Sequence, residues 1–207
     1  MQVKKEHYDF FNYVSKERWM SYYYQIREAF EAECNSILII GKGDGIVPAV
    51  LKGHIEKVDT FDYDSALLPT YVGDLKNLNE IVKESYDCVV CCQVLEHIER
   101  QNFADIIWQI SNICTKRMIL SLPLHKISFS LCVDFPKFHH KILNIIITRF
   151  WVKRLPWEGQ HYWEVGIKGS YKKQILNILE RYFNIGNEYI VPENPYHWFV
   201  ILEKGEM

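Results

Sequence analysis

The sequence predicts an α/β protein with an open, doubly wound and mostly parallel sheet. Short, continuous apolar runs such as residues 36–40 and 86–92 are typical of strands that are buried on both faces. Segments with helical periodicity separate these runs, and alternating strands and helices form parallel βαβ units. Two further strands near the C-terminus are joined by a short turn at residues 192–195, which predicts an antiparallel end to the sheet.

The elements follow in a regular order along the chain. A helix without Gly or Pro opens it. Most of its aromatic side chains are expected to pack on the core, and one or two could instead close over a bound cofactor. Strands are predicted at residues 36–40, 57–62, 70–72, 86–92, 117–122, 183–190 and 196–203. Helices are predicted at residues 5–32, 46–52, 75–85, 103–115 and 171–182.

Bulk properties restrict the class of protein. A chain of 207 residues suits one domain, and its formal net charge of −2 argues against a general nucleic-acid binder because such proteins are usually basic. The charged N-terminus lacks the apolar core of a signal peptide, and the apolar runs fall short of the ~20 residues that span a bilayer. We therefore expect a cytoplasmic protein.

The six cysteines lack zinc-ligand spacing, so no metal site is expected.

A glycine-rich turn follows the first strand at Gly41, Gly43 and Gly45. Glycine lets the backbone turn sharply and approach a ligand closely. The spacing departs from the dinucleotide pattern, which places its third glycine one position later. Two carboxylates end the next strands: Asp62 is placed to bind the hydroxyls of a ribose, and Asp74 to accept from an adenine amino group. Turn formation is the alternative role for each.

These motifs, taken in order, resemble those of class I S-adenosylmethionine-dependent methyltransferases. The resemblance covers residues 35–123, from the glycine turn through Asp62 and Asp74 to the strand at residues 119–123. Residues 86–98 are very similar to a stretch of the ubiquinone-methyltransferase-like branch. The resemblance implies a Rossmann-like, seven-stranded sheet in a single domain. Its parts would be a helical cap (1–34), a cofactor-binding core (35–123), an acceptor-side insertion or lid (124–169), and a C-terminal helix with two strands (170–207).

The same resemblance implies the cofactor site. Gly41, Gly43 and Gly45 would cradle the methionine part of S-adenosylmethionine, which leaves as S-adenosylhomocysteine after methyl transfer. The nucleoside would lie against the ends of the second and third strands, and the sulfonium near the end of the fourth, which gives Asp62, Tyr63, Asp74, Leu75, Cys92 and Gln93 as further contacts.

Four residues of this region stay ambiguous. Lys42 would place a cation near the sulfonium unless its side chain points to solvent, and Asp64 competes with Asp62 for the ribose. Glu96 suits a structural role that bonds neighbouring loops, whereas His97 is equally suited to structure and function.

The acceptor side is predicted in the insertion. Methyl transfer requires alignment of acceptor and methyl group and exclusion of water, with a general base only when the acceptor must lose a proton. His161, Glu164 and His125 are the candidates for that base or for acceptor contacts. Residues 143–157 are interpreted as a lid helix, with contact to a membrane surface as the alternative. A small-molecule, glycan or lipid-linked acceptor is favoured over nucleic acid.

Two other functions share parts of this pattern. An NAD-dependent oxidoreductase has a similar turn and distal acid, but no tyrosine here has a lysine four residues on, as short-chain enzymes require. A binding or regulatory protein could also keep the fold and the cofactor without catalysis.

Overall fold

A computed structural model describes residues 9–135, 138–148 and 160–205. Seven strands form one sheet in the order β3-β2-β1-β4-β5-β9-β8, and β6 and β7 form a separate two-stranded sheet. The strands are β1 (Ser36–Ile40), β2 (Lys57–Asp62), β3 (Tyr71–Val72), β4 (Tyr86–Cys92), β5 (Cys114–Pro123), β6 (Lys126–Phe135), β7 (Phe138–Thr148), β8 (Asn184–Ile190) and β9 (His197–Glu203).

Six α-helices lie within the described residues: α1 (Phe10–Tyr13), α2 (Lys16–Glu31), α3 (Ile46–Leu51), α4 (Leu78–Ile81), α5 (Phe103–Ile113) and α6 (Lys172–Leu179). None of the helices in these ranges combines the length and the apolar character that crossing a membrane requires.

The main sheet has the predicted Rossmann-like architecture. Strands β1 to β5 run parallel, and β9 pairs antiparallel with both β5 and β8. Alternation along β1 sends Leu38 and Ile40 into a core shared with α4, α5 and α6, and Ile37 and Ile39 into a core shared with α2 and α3. Burial on both faces explains why this strand is a continuous apolar run.

The cysteines of β4 behave as small apolar residues. Cys88 and Cys91 are fully buried, and Cys92, the last residue of the strand, is partly exposed. All the cysteines whose side chains the structure describes are free thiols.

The N-terminal helix is interrupted, contrary to the prediction of one helix over residues 5–32. Ser15 is extended, and its side chain accepts a hydrogen bond from the backbone N–H of Arg18 at 3.2 Å, so it caps the start of α2. The capping hydroxyl thus starts a new helix within a segment that has no Gly or Pro. Residues 5–8 of the predicted helix lie outside the described residues.

The helix predicted over residues 75–85 is also shorter. A 3₁₀ turn at Leu75–Asn77 leads into α4, which ends before the extended residue Val82. Val82 is almost completely buried in the core beneath the sheet. The chain leaves the helix early because it must bring this side chain inward and then enter β4.

The insertion contains a β-hairpin, so the prediction of a lid helix over residues 143–157 is wrong for its described part, residues 143–148. Strand β7 pairs antiparallel with β6, from Lys126 opposite Thr148 to Phe135 opposite Phe138. The run of isoleucines at residues 145–147 favours a strand because β-branched side chains suit extended backbone. Ile127, Phe129 and Ile145 are at least half exposed on this hairpin. The remainder of the predicted helix lies outside the described residues.

The last part of the insertion is hydrogen-bonded to the chain that follows β4 and to the end of β5. The N–H of Tyr162 donates to the carbonyl of Glu96 at 2.8 Å, and the N–H of Val165 donates to the carbonyl of Pro123 at 2.9 Å. Trp163 is buried between them, and its indole N–H donates to the carbonyl of Ile98 at 2.9 Å. Residues 160–166 are therefore held against the carboxyl edge of the sheet.

Asp87 ties the start of β4 to its two neighbours. Its carboxylate accepts from the backbone N–H of Asn35 at 2.9 Å and lies 3.3 Å from the Lys116 ammonium. The hydrogen bond from Asn35, together with Lys116, holds the pKa of Asp87 below its ordinary value of 3.8. The lowered pKa means that Asp87 stabilises the fold at neutral pH and that this contribution disappears as the pH falls through the native pKa.

We expect Asp87→Asn to lower the free energy of unfolding by about 1 kcal/mol at pH 7, because it weakens a charge-assisted hydrogen bond. Urea denaturation at pH 7 and at successively lower pH measures the effect, and the difference from the wild-type protein should shrink in acid. Glu180→Gln, at an exposed glutamate that follows α6, is the control. A loss that does not depend on pH would contradict the role assigned to the charge.

Candidate active site

A cleft of about 790 Å³ lies along the carboxyl ends of β1, β2 and β4. Parallel sheets of this kind bind ligands at that edge. Its described lining includes most residues predicted for cofactor binding: Gly41, Gly43, Asp62, Tyr63, Asp74, Leu75, Cys92 and Gln93. Gly45 does not line it but caps the N-terminus of α3, with φ of 80°. The structure thus brings eight of the nine residues together.

The turn after β1 requires glycine at its first position. Gly41 has φ of 83°, in the left-handed region, and a Cβ built there would lie 2.4 Å from Cγ2 of Val94. The N–H of Gly41 donates to the carbonyl of Phe61 at 2.8 Å, which ties the turn to β2. Any larger residue at position 41 would displace the turn or the chain that follows β4.

Asp62, rather than Asp64, is the carboxylate that contacts the glycine turn. Its Oδ2 accepts from the backbone N–H of Lys42 at 2.7 Å, and its Oδ1 accepts from the N–H of Asp64 at 3.0 Å. The Asp64 carboxylate instead accepts from the N–H of Ala66 at 2.9 Å and caps a short 3₁₀ turn. Asp74 caps the following 3₁₀ turn through the N–H of Lys76 at 2.9 Å.

The Lys42 side chain is anchored to the loop that follows β2. Its Nζ donates to the carbonyls of Leu67 at 2.5 Å and Leu68 at 2.7 Å. These two hydrogen bonds join the glycine turn to the loop after β2. The ammonium is thereby held by backbone oxygens of that loop.

Helices α1 and α2 contribute the polar side chains of Tyr13, Arg18 and Tyr22 to the cleft. The Tyr22 hydroxyl donates to Oδ2 of Asp44 at 2.6 Å, which joins α2 to the glycine turn. Arg18 lies over the Tyr13 ring, with 3.9 Å from Cζ to the centroid, and donates to its hydroxyl at 2.9 Å. Tyr13 and Tyr22 belong to the aromatic residues of the predicted N-terminal helix, so only Arg18 lacked a signal in the sequence.

The three residues predicted for the acceptor side are in contact, because Glu164 lies between the two histidines, His161 and His125. His161 lies 3.1 Å from its Oε1 and His125 lies 3.0 Å from its Oε2, each through Nδ1, and the Tyr196 hydroxyl donates to Oε1. Burial opposes ionisation of Glu164, but the hydrogen bonds from His161, Tyr196 and His125 hold its pKa below the ordinary value. Among these residues His161 and Tyr196 line the cleft, whereas Glu164 and His125 are not among its lining residues.

Glu96 is a buried carboxyl group in the wall of the cleft. The residue is completely inaccessible to solvent, and neither of its carboxylate oxygens has a hydrogen-bond partner in the part of the chain that the structure describes. Burial raises the pKa of Glu96 to about 7, although His161 acts in the opposite direction. The prediction that Glu96 bonds neighbouring loops is correct for its backbone carbonyl, which binds Tyr162, and wrong for its side chain.

Glu96, His97 and His161 form a cluster that the sequence analysis did not anticipate. One carboxylate oxygen and one ring nitrogen from each histidine lie within 4.8 Å of one another. Such donor types can ligate a metal ion. His97 and His161 also make a T-shaped contact, with 4.9 Å between ring centroids. The cluster, here called the acceptor triad, lies in the wall of the cleft.

Glu96→Gln should alter the pH dependence of stability. Because the native pKa of about 7 exceeds the ordinary 4.5, Glu96 destabilises the fold increasingly as pH rises between these values. The total cost is about 3 kcal/mol. The stability of the variant relative to the wild-type protein should therefore rise by that amount from pH 4 to pH 8, as measured by urea denaturation. Glu56→Gln, at an exposed glutamate, should show no such change.

No protein-family model matches this sequence, and no curated protein matches it either. Solved structures do share its fold. An S-adenosylmethionine-dependent methyltransferase from Clostridium acetobutylicum ATCC 824 superimposes with a TM-score of 0.60 at 13% identity, over 93% of each chain.

Two other structures agree with this similarity. The N-methyltransferase NodS from Bradyrhizobium japonicum WM9, in complex with S-adenosyl-L-homocysteine, gives a TM-score of 0.64 at 11% identity over 93% of this chain and 89% of its own. Magnesium protoporphyrin IX methyltransferase from Synechocystis PCC 6803, with the same nucleoside bound, gives 0.57 at 15% identity over 99% and 90%. The chain described here therefore has the fold of S-adenosylmethionine-dependent methyltransferases.

Proposed function

We propose that this protein is an S-adenosylmethionine-dependent methyltransferase. The observation that carries the proposal is that the glycine turn, the strand-end carboxylates Asp62 and Asp74, and the acceptor triad line the same cleft. Its volume of about 790 Å³ lies in the range of cofactor and substrate pockets. The fold shared with methyltransferases supports the same assignment.

The cofactor would lie across the carboxyl ends of the parallel strands. Gly41 and Gly43 would allow close approach of its methionine part, and Asp62 would accept hydrogen bonds from the ribose hydroxyls. Asp74 and Leu75 would contact the adenine, with Tyr63 beside it. Arg18, the cationic residue of α2 at the cleft, suits the methionine carboxylate. S-Adenosylmethionine would supply the methyl group on an activated sulfonium.

The end of β4 would face the transferring methyl group. Gln93 has φ of 56° and holds its amide nitrogen 3.2 Å from the Ser121 hydroxyl, so it has a fixed but strained backbone at the cleft. Burial raises the pKa of the neighbouring Cys92 to about 12. Cys92 is therefore a neutral wall of the pocket and not a nucleophile.

His161 has the geometry of a general base for an acceptor that must lose a proton. Because a carboxylate only accepts, the Nδ1–H of His161 donates to Glu164, which leaves Nε2 unprotonated in the neutral ring. Glu164 would balance the positive charge that His161 acquires with the proton. His125 and Tyr196 would position Glu164. These four residues support proton transfer, while alignment in the cleft would provide most of the rate enhancement.

Calorimetry should show that the purified protein binds S-adenosylmethionine and S-adenosylhomocysteine but not NAD. Asp62→Ala should weaken binding about 10- to 100-fold, because a carboxylate that accepts from a ribose contributes hydrogen bonds of ~1.5–3 kcal/mol. Asp64→Ala is the matched control, since its carboxylate caps a neighbouring turn, and should change affinity far less.

The alternatives give different results in that experiment. Binding of NAD in preference to the sulfur nucleosides would reject the proposal and favour an oxidoreductase. Equal weakening by both aspartate variants would reject Asp62 as the ribose ligand. Selective binding of S-adenosylmethionine without methyl transfer to any acceptor would favour a regulatory protein on the same fold.

A further inference from the structure

The acceptor triad presents hydrogen-bond acceptors to the cleft. His97 lies 2.9 Å from the carbonyl of Gln160 through Nδ1, and His161 makes its contact with Glu164 through the same ring atom. Carbonyl and carboxylate oxygens only accept hydrogen bonds, so both Nδ1 atoms carry the proton. Each neutral ring then has its acceptor lone pair on Nε2. The Glu96 carboxylate adds a third acceptor, which has no partner within the described residues.

The triad is compact enough for one group to reach all three residues. Three acceptors placed about 2.9 Å from a tetrahedral ammonium nitrogen are about 4.7 Å apart. One donor or acceptor atom of each triad residue lies within 4.8 Å of the others. An ammonium group can therefore donate to all three residues, whereas a hydroxyl group, which has one proton to donate, would satisfy only one of them.

Charge favours the same ligand. An uncompensated carboxylate is costly in a buried position, and a bound cation offsets that cost, whereas a neutral alcohol does not. The groups that act electrostatically on Glu96 are His161 and Arg18, which favour its anion, and Glu164, which opposes it. Tyr13 and Tyr196 also interact with it. Arg18 lies against Tyr13, so its guanidinium does not hydrogen-bond the Glu96 carboxylate.

We propose that the methyl acceptor is a primary amine, which enters the cleft as its ammonium and is held by Glu96, His97 and His161. This inference rests on the proposed methyltransferase function and names the substrate class of that site. The acceptor triad binds the three N–H groups, and the carboxylates of Glu96 and Glu164 reduce the repulsion between the ammonium and the sulfonium of the cofactor.

The amine must lose one proton before it can attack. Nε2 of His161 takes that proton, and Glu164 stabilises the resulting charge. The nitrogen lone pair then forms the new N–C bond with the methyl carbon while the C–S bond breaks and its electron pair passes to sulfur. The products are a secondary ammonium ion and S-adenosylhomocysteine, and the proton passes from His161 to solvent. One proton is released for each methyl group transferred.

Paired probes that differ only in the donor group test this proposal. The protein saturated with S-adenosylhomocysteine would be titrated with ethylamine, cyclohexylamine, phenethylamine and glucosamine, and with the matching alcohols and glucose. We expect at least one amine to bind and its oxygen counterpart to bind at least tenfold more weakly. Glu96→Gln should weaken amine binding about 10- to 100-fold, because a charge-assisted contact is lost. Glu99→Gln, at an exposed glutamate of the same cleft, should retain it.

Four results would overturn the amine proposal while S-adenosylhomocysteine still binds. These are equal binding of alcohols and amines, no binding by any amine of the panel, unchanged amine binding in Glu96→Gln, and stoichiometric binding of Zn²⁺ that Glu96→Gln abolishes. The last result would assign the acceptor triad to a metal ion. Failure of S-adenosylhomocysteine itself to bind would reject the proposed function instead, so the two failures are distinguishable.

A methyl-transfer assay on the amines that bind provides a second readout. S-Adenosylmethionine carrying a labelled methyl group should label the amine and leave its alcohol counterpart unlabelled. His161→Asn should lower kcat about 100-fold or more without comparable loss of S-adenosylhomocysteine binding, because it removes the base and not the cofactor site. Labelling of the alcohol counterparts at equal rates would contradict the assignment.

Discussion

The parallel direction of strands β1 to β5 is the constraint on which the cleft depends. Parallel strands end at one edge, so the turns that follow them lie side by side. The glycine turn after β1, Asp62 at the end of β2 and Gln93 after β4 consequently share one cavity although they are far apart in sequence. The antiparallel β9 then returns beside β5 and brings Tyr196 to the same edge.

Two buried glutamates at this edge have opposite environments. Glu164 accepts hydrogen bonds from three side chains, which satisfy its carboxylate and keep it ionised despite burial. Glu96 is more deeply buried, and neither of its oxygens has a hydrogen-bond partner among the described residues. In the proposed function Glu164 is a fixed support for His161, whereas a ligand would complete the environment of Glu96. The proposal thus assigns positioning to one glutamate and binding to the other within one network.

The insertion illustrates where sequence reasoning failed. The mixture of apolar and basic residues at 143–157 predicts a lid helix with its charged side in water, but residues 143–148 pair with β6. Short apolar runs do not distinguish a helix from a strand, and the pairing partner decides between them. The predicted N-terminal helix failed for a local reason instead, because the Ser15 hydroxyl caps α2 and interrupts it.

The sequence by itself determined the positions of β1, β2 and β4 and the presence of glycines and carboxylates at their ends, because burial on both faces imposes a local apolar pattern. It also indicated His161, Glu164 and His125 as candidates. Only the tertiary structure decided that His161 and Glu164 meet each other and that Glu96 faces His97 and His161. These contacts depend on how residues 160–166 fasten to the ends of β4 and β5, and loop segments carry no periodicity from which such long-range pairing can be derived.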